Sequence, residues 1–469
     1  MAEASHRAPQ TGPDAGQAAL RDGRWDDART CFEGALREGP APEALEGLSW
    51  AAWWLDDEPA VFDARERAYH GYKLAGEPAA AARMATWLAC DELDFHGAAP
   101  VAAGWLARAH RLLDPLDPGP DHGWLAFLDG FLAHAAGDTA RAAELGRRTA
   151  ELGQRFGVCD LEMLGLALEG ATLVACARVP EGMRRLDEAT AAAMDGDASL
   201  PISRAWACCF LVTACTAVRD YERAGVWCDR IARFAARYGS RYMLAFCRAE
   251  YGAVHLWRGR WEEAAALLEA SVEDYARSRP AWVGQPLATL AELRRREGRR
   301  TTAAVLLERA GSSAGVQLCH ARMALDAADA RRAVELADRV LRQLPPERLL
   351  DRAPALQLAV RARVARGELG DAGRMLAALR DVAGRVGTAP LHAGADLEEG
   401  VLAAAAGEHE RARTLLEDAV DGFERCGGAY DAALGRIELA GALAALGRPA
   451  DAAREGGDRG GAAGCARRA

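Results

Sequence analysis

Gly259-Arg260-Trp261-Glu262-Glu263-Ala264 reads as a turn running into a helix: a small residue opens the turn, and five residues later an alanine enters an apolar helical run. The same arrangement ends at Ala28, Ala102, Ala142, Ala303, Ala372, Ala412 and Ala452, with weaker copies at Ala64, Gly182, Ala224 and Ala333. In chain order these anchors are separated by 36, 38, 40, 40, 42, 40, 39, 30, 39, 40 and 40 residues. A fixed period in this range predicts a stacked repeat protein, because one such unit cannot bury its apolar face alone. The 30-residue step into Ala333 marks an irregular joint, and a subdomain seam is expected near Gly311 to Gly315.

Within each unit the partner positions follow helical spacing. Ala28, Phe32 and Ala35 share one helix face, and Pro40 stops that helix. Gly252 precedes Ala264 by twelve residues, and Gly130, Gly170 and Gly400 stand at the same offset before Ala142, Gly182 and Ala412. A small residue in helix A and an Ala in helix B, with a large apolar residue four later, resemble the tetratricopeptide repeat. The expected fold is therefore all-α: a solenoid of about twelve helix-turn-helix units with a period near 40. Its expected bounds are a disordered segment at 1–14, an N-terminal solenoid at 15–310, a continuous C-terminal solenoid at 311–455 and a disordered tail at 456–469.

Composition narrows function mostly by exclusion. Half of the 469 residues are hydrophobic, and the formal net charge of −10 gives no global attraction to nucleic acid or anionic membranes. Lys73 is the only lysine, in a context without P-loop glycines or a following Ser/Thr, which argues against a nucleotide-hydrolysing module. Gly311-Ser312-Ser313-Ala314-Gly315 matches the nucleophile-elbow pattern, but no strand precedes it, so an interhelical loop is expected. The ten histidines form no HExxH pair, and the twelve cysteines lack metal-knuckle spacing and read as reduced core residues. No metal, cofactor or catalytic group is expected. The segment before Gln17 has no apolar signal core, and the charge-free run from Ala205 to Val218 is too short to span a bilayer. A cytoplasmic location is the expectation.

The aromatic residues suggest a site. Applying the tetratricopeptide register, helix A would present Trp53 and Asp56, then Trp87, Asp91 and Asp94, then Trp124, Phe127, Phe131 and His134, then Trp206. An aromatic wall dotted with carboxylates suits a cationic or Arg-containing peptide, or an apolar small molecule. The alternative is that the rings pack between long helices as core. In the C-terminal half the same register puts Arg295, Arg322 and Arg361 on concave positions, where an anionic partner would bind. The densest basic run, Arg294 to Arg300, reads as a solvated helix end or as an anion contact.

Several stretches resemble the helical-repeat region of actinobacterial LuxR-type transcriptional regulators: Leu36 to Ala68, Gly104 to Leu113, Ala150 to Gly157, Arg185 to Thr190 and Leu256 to Ala264. The resemblance implies a sensing or partner-binding part that precedes a DNA-binding helix-turn-helix. Only fifteen residues follow Arg454, so no recognition helix can be named and no direct nucleic-acid contact is expected from this chain. The resulting expectation is a non-enzymatic regulatory or sensor protein. Its partner would be a protein, a peptide or an apolar small molecule, and a homodimer is compatible with the pattern. An interaction scaffold without a role in transcription is the alternative.

Overall fold

A computed structural model describes residues 12–195 and 199–457. Within them the chain forms 24 α-helices joined by short turns. The helices are α1 (Pro13–Asp22), α2 (Trp25–Glu38), α3 (Pro42–Trp54), α4 (Glu58–Ala75), α5 (Pro78–Asp91), α6 (Ala99–Leu113), α7 (Pro120–Ala136) and α8 (Thr139–Phe156). Next come α9 (Cys159–Ala175), α10 (Val179–Asp195), α11 (Pro201–Val218), α12 (Tyr221–Tyr238), α13 (Arg241–Trp257), α14 (Trp261–Ser278), α15 (Gly284–Arg296) and α16 (Arg300–Arg309). The last eight are α17 (Ala314–Asp326), α18 (Ala330–Gln343), α19 (Leu349–Ala365), α20 (Leu369–Val386), α21 (Ala389–Ala405), α22 (His409–Arg425), α23 (Ala429–Ala445) and α24 (Pro449–Gly457). A π-helical turn, Glu92–His96, extends α5, and a 3-10 turn, Pro280–Trp282, precedes α15. Most of 1–14 and 456–469 lies outside the described residues, whereas Pro13 and Asp14 open α1 and Gly456 and Gly457 close α24.

Consecutive helices pack as twelve antiparallel pairs, an odd-numbered helix A followed by an even-numbered helix B. This is a tetratricopeptide-like solenoid. The alanine anchors sit near the start of helix B, and Ala28, Ala142, Ala224, Ala264, Ala303, Ala333, Ala372 and Ala412 are completely buried. The residue twelve earlier must be small because helix A crosses there. A Cβ on Gly252 would meet Leu268 at 2.7 Å, and one on Gly400 would meet Leu416 at 2.6 Å. At Gly170 the tightest contacts are Leu186 at 2.8 Å and the Gly182 carbonyl at 2.9 Å. Glycine opens most of the turns in a left-handed conformation, as at Gly137 and Gly259, and Asp56, Ala177, Arg219 and Ala328 hold that conformation in the others.

One anchor is displaced from the sequence reading. In the second unit Val61, not Ala64, takes the equivalent place: its amide bonds to the Asp57 carbonyl, as Ala28 bonds to Arg24 and Ala102 to Ala98. Helix α3 has 13 residues where α7 has 17, and Asp56 (φ 58°) replaces the turn glycine, so the usual marker is missing. The short step into Ala333 arises from α16 and α17, of 10 and 13 residues. Ser313 in the elbow-like stretch accepts from the Val316 amide and caps α17 within an interhelical loop. Helix α11 runs for 18 residues, longer than its charge-free part. It is long and apolar enough to cross a membrane by length and composition, yet most of it is buried among its neighbours.

The solenoid winds tightly enough for distant units to touch. The Trp25 indole donates to the Tyr238 carbonyl at 2.7 Å, and Arg348 donates to the Ala135 carbonyl at 2.9 Å. In the C-terminal half, α13, α15, α17, α19, α21 and α23 pack side by side, and α23 returns to α13 to close a ring. A Cβ on Gly428 would lie 2.6 Å from the Trp257 ring, and the Trp257 indole donates to Asp431 at 2.9 Å.

Candidate functional site

The expected aromatic wall exists as a continuous cluster, and the chain itself fills most of it. Trp87 lies 5.3 Å from Trp124 and 6.0 Å from Trp206, and Phe127 stacks on Trp206 at 5.1 Å between ring centroids. Phe131 and His134 meet Phe210 of α11, and Trp53 meets Tyr242 of α13. Trp53, Trp87, Trp124 and Phe127 are buried, while Phe131, His134 and Trp206 are half-buried. Later A helices pack against it: Trp206 and Phe210 of α11 and Tyr242 of α13 cover the rings from the other side. Burial, with Arg348 nearby, holds the His134 imidazole below its usual pKa, and it bonds to the Thr172 hydroxyl at 3.2 Å.

The carboxylates on this wall also meet arginines of the same chain. Arg65 is 1% exposed, pairs with Asp91 at 3.0 Å, and lies 4.6 Å from the Trp50 ring centre and 5.7 Å from that of Trp87. Arg279 is fully buried over Phe95, at 3.8 Å, and over Trp53 and Tyr242, and bonds to Asp56 at 3.1 Å. The π-helical turn holds Asp94 and Phe95 on this side of α5. Burial pushes the Asp91 carboxyl up to about 6 and Asp94 up to about 7, although Arg65 and Arg279 oppose the shift. The wall does suit arginine, but the arginines belong to this chain.

The C-terminal ring encloses a different interior, a cavity of about 420 Å³. Arg295, Arg322 and Arg361, expected on concave positions, all line it, and Arg219 and Arg296 join them. Trp257, Tyr221, Tyr430, Leu325, Leu358, Leu397 and Leu434 supply apolar surface. Arg295 grips Glu292 with two bonds of 2.9 Å, and Arg296 adds a third of 2.8 Å. Burial alone would raise the Glu292 carboxyl, but Arg295, Arg322 and Arg296 together hold it well below the usual carboxylate range. Arg361 donates to Glu398 at 2.8 Å, and Asp431 accepts from Trp257. The acids are thus occupied, but the arginines are not all matched. Arg322 comes no closer than 3.9 Å to Glu292, and Arg219 donates only to the Gln357 amide at 3.3 Å. One Nη atom each of Arg296 and Arg361 is buried without a hydrogen-bond partner. A wider cavity of about 980 Å³ shares Arg219 and Tyr221 with this lumen and adds Arg184, Arg223, Arg258 and Arg425.

Arg219 was legible in principle. It occupies the turn position five before Ala224, where most units have glycine, and adopts φ 62° there. Asp56, Ala177 and Ala328 are left-handed at the equivalent turns, so the charge and length of Arg219, not its conformation, set it apart. Trp257, Tyr430 and Asp431 carry no such signal, because they meet only when the ring closes. Arg294, in the basic run, is engaged by Glu297 and Glu269.

No family model matches the chain, and no curated protein matches it. Among solved structures it is similar to the Rap protein complexed with competence and sporulation factor, with 11% identity and a TM-score of 0.46 over 88% of this chain and 99% of that one. It is also similar to the apo form of the quorum sensor NprR from B. thuringiensis, with 12% identity and a TM-score of 0.39 over 79% and 95%. Yeast Tom70 matches with 13% identity and a TM-score of 0.35 over 97% of each chain. These values are too low to transfer any property of those proteins to this chain.

Proposed function

We propose that this chain is a non-enzymatic regulatory or sensor protein that holds an anionic group of a protein or peptide partner in its C-terminal lumen. The observation that carries this reading is the surplus of guanidinium donors there: Arg219 and Arg322 without a close carboxylate, and buried Nη atoms of Arg296 and Arg361 without a partner. A buried donor left unmade costs about 1–3 kcal/mol, and more when charged, so a carboxylate entering the lumen recovers free energy that the empty site lacks. The lining holds five arginines against Glu292, Asp326, Glu398 and Asp431, which suits one negative charge rather than several. The LuxR-like stretches support, on this reading, a role in cytoplasmic transcription control that works through a partner. The −10 charge favours partner binding over nucleic acid in either setting, including that of a scaffold outside transcription.

The test is a thermal-shift titration of the full chain with a pool of short peptides bearing free C-terminal carboxylates, against the same pool amidated. Free acids should raise the melting temperature and amides should not, since a ligand that binds only the folded form stabilises it by RT ln(1 + L/Kd), L being the free ligand concentration. Replacing Arg219 and Arg322 together by glutamine should abolish the shift while leaving the fold intact. Equal shifts for acids and amides, or a shift indifferent to the double substitution, would reject the lumen as the site.

A further inference from the structure

A third cavity, of about 360 Å³, opens between the N-terminal units and the start of α11. Five indoles border it: Trp25, Trp50, Trp54, Trp87 and Trp124, with Leu20, Leu200 and Ile202 completing the apolar surface. Trp25 and Trp54 are stacked, 4.6 Å apart and within 3° of parallel, and Trp50 stands edge-on to Trp87 at 4.8 Å. Arg21 and Glu43 lie exposed on the rim, and the inner polar edge is paired within the chain. Tyr72 donates to Glu46 at 2.8 Å, Arg83 grips Glu46 with bonds of 2.8 and 2.9 Å, and its remaining nitrogen reaches Asp121 at 3.1 Å.

We infer that this pocket is a binding site for a neutral, flat aromatic molecule of one or two fused rings, separate from the arginine lumen. Its volume falls within the range of small-molecule pockets, and its five π-faces offer stacking and edge contacts. Charge decides the class. An aromatic cage for a cation needs the free negative face of its rings, but the Arg65 guanidinium already lies against Trp50 and Trp87. A second cation there would meet a like charge through the ring, and Glu46 is taken by Arg83 and Tyr72. An anion finds the half-buried Arg83 equally engaged. Neither charge has a buried counter-ion waiting, since Arg21 and Glu43 are solvated rim groups of opposite sign, whereas a neutral ring needs none.

The experiment uses one ring in three charge states. Indole, tryptamine and indole-3-acetate are titrated into the full chain by isothermal calorimetry at neutral pH. Indole should bind at least tenfold more tightly than either charged analogue. Gln17, exposed on α1 at the mouth, is changed to Trp to plug the entrance: Gln17→Trp should weaken indole at least tenfold without altering the circular dichroism spectrum. The Arg219/Arg322 glutamine variant should bind indole unchanged, so this site stands or falls apart from the lumen. Tryptamine binding as tightly as indole, no indole binding, or indifference to Gln17→Trp overturns the inference.

Discussion

Gly182 stands where most other units carry alanine, and its lack of a side chain is required. A Cβ there would lie 2.6 Å from the Gly170 carbonyl and 2.7 Å from Val174, because α9 and α10 approach through paired glycines. Gly182→Ala should cost about 1–3 kcal/mol as backbone is forced apart. Gly384, exposed inside α20 with nothing within 4 Å, gives the opposite case: Gly384→Ala should stabilise by about 1 kcal/mol. Urea denaturation of the two variants against the parent chain reads both signs. At this scale the sequence was informative about chemistry and blind to ownership. Trp87, Asp91 and Asp94 were read as a wall for a cationic or Arg-containing peptide or an apolar small molecule, or as core, and Trp87 and Asp91 meet Arg65 of the same chain. That Arg65 and Arg279 fill the role depends on which helices meet in space, and single residues do not encode that.

Between elements, the seam joining the π-helical turn Glu92–His96 to the 3-10 turn Pro280–Trp282 buries Asp94 and Asp91 beside Arg279 and Arg65. Both carboxyls have folded pKa values raised above the ordinary value, chiefly by burial. A raised folded pKa means that the folded form holds the proton longer, so this stability is present at low pH and is lost as pH rises from about 4 to about 7. His96, raised by its bonds to Glu92 and Glu58, acts in the same direction. Amides of the seam should therefore exchange more slowly at pH 5.5 than at pH 7.5, after correction for intrinsic rates. Asp94→Asn should remove most of that difference, and an unchanged difference would assign the effect elsewhere. A local readout is needed because buried His255, half-buried His134 and the more exposed His320 have lowered pKa values and contribute the opposite trend. Element order was readable from alanine and glycine spacing, and eleven anchors hold their places. The exception, Val61 for Ala64, falls where a short helix and a left-handed aspartate erase the marker.

Across the whole molecule, twelve pairs would ordinarily unfold as a row of near-independent neighbours. Here α13 meets α23, and Trp25 of α2 meets Tyr238 of α12, so distant units share contacts. Asp431→Ala removes the acceptor for a buried indole and should cost about 2 kcal/mol. It should also split unfolding: near- and far-ultraviolet circular dichroism transitions that coincide in the parent should separate in the variant. The repeat pattern announced the solenoid but not its curvature, since closure depends on contacts 174 residues apart, such as Trp257 to Asp431. The closed ring also sets a timetable for exchange. A chain end can slide in along the axis, but a folded loop must wait for the α13–α23 clasp to part. Arrival and departure of such a loop would then share one gate, and loosening that gate by Gly428→Ala, whose Cβ would press on the Trp257 ring, would quicken both rates while moving the equilibrium between them far less.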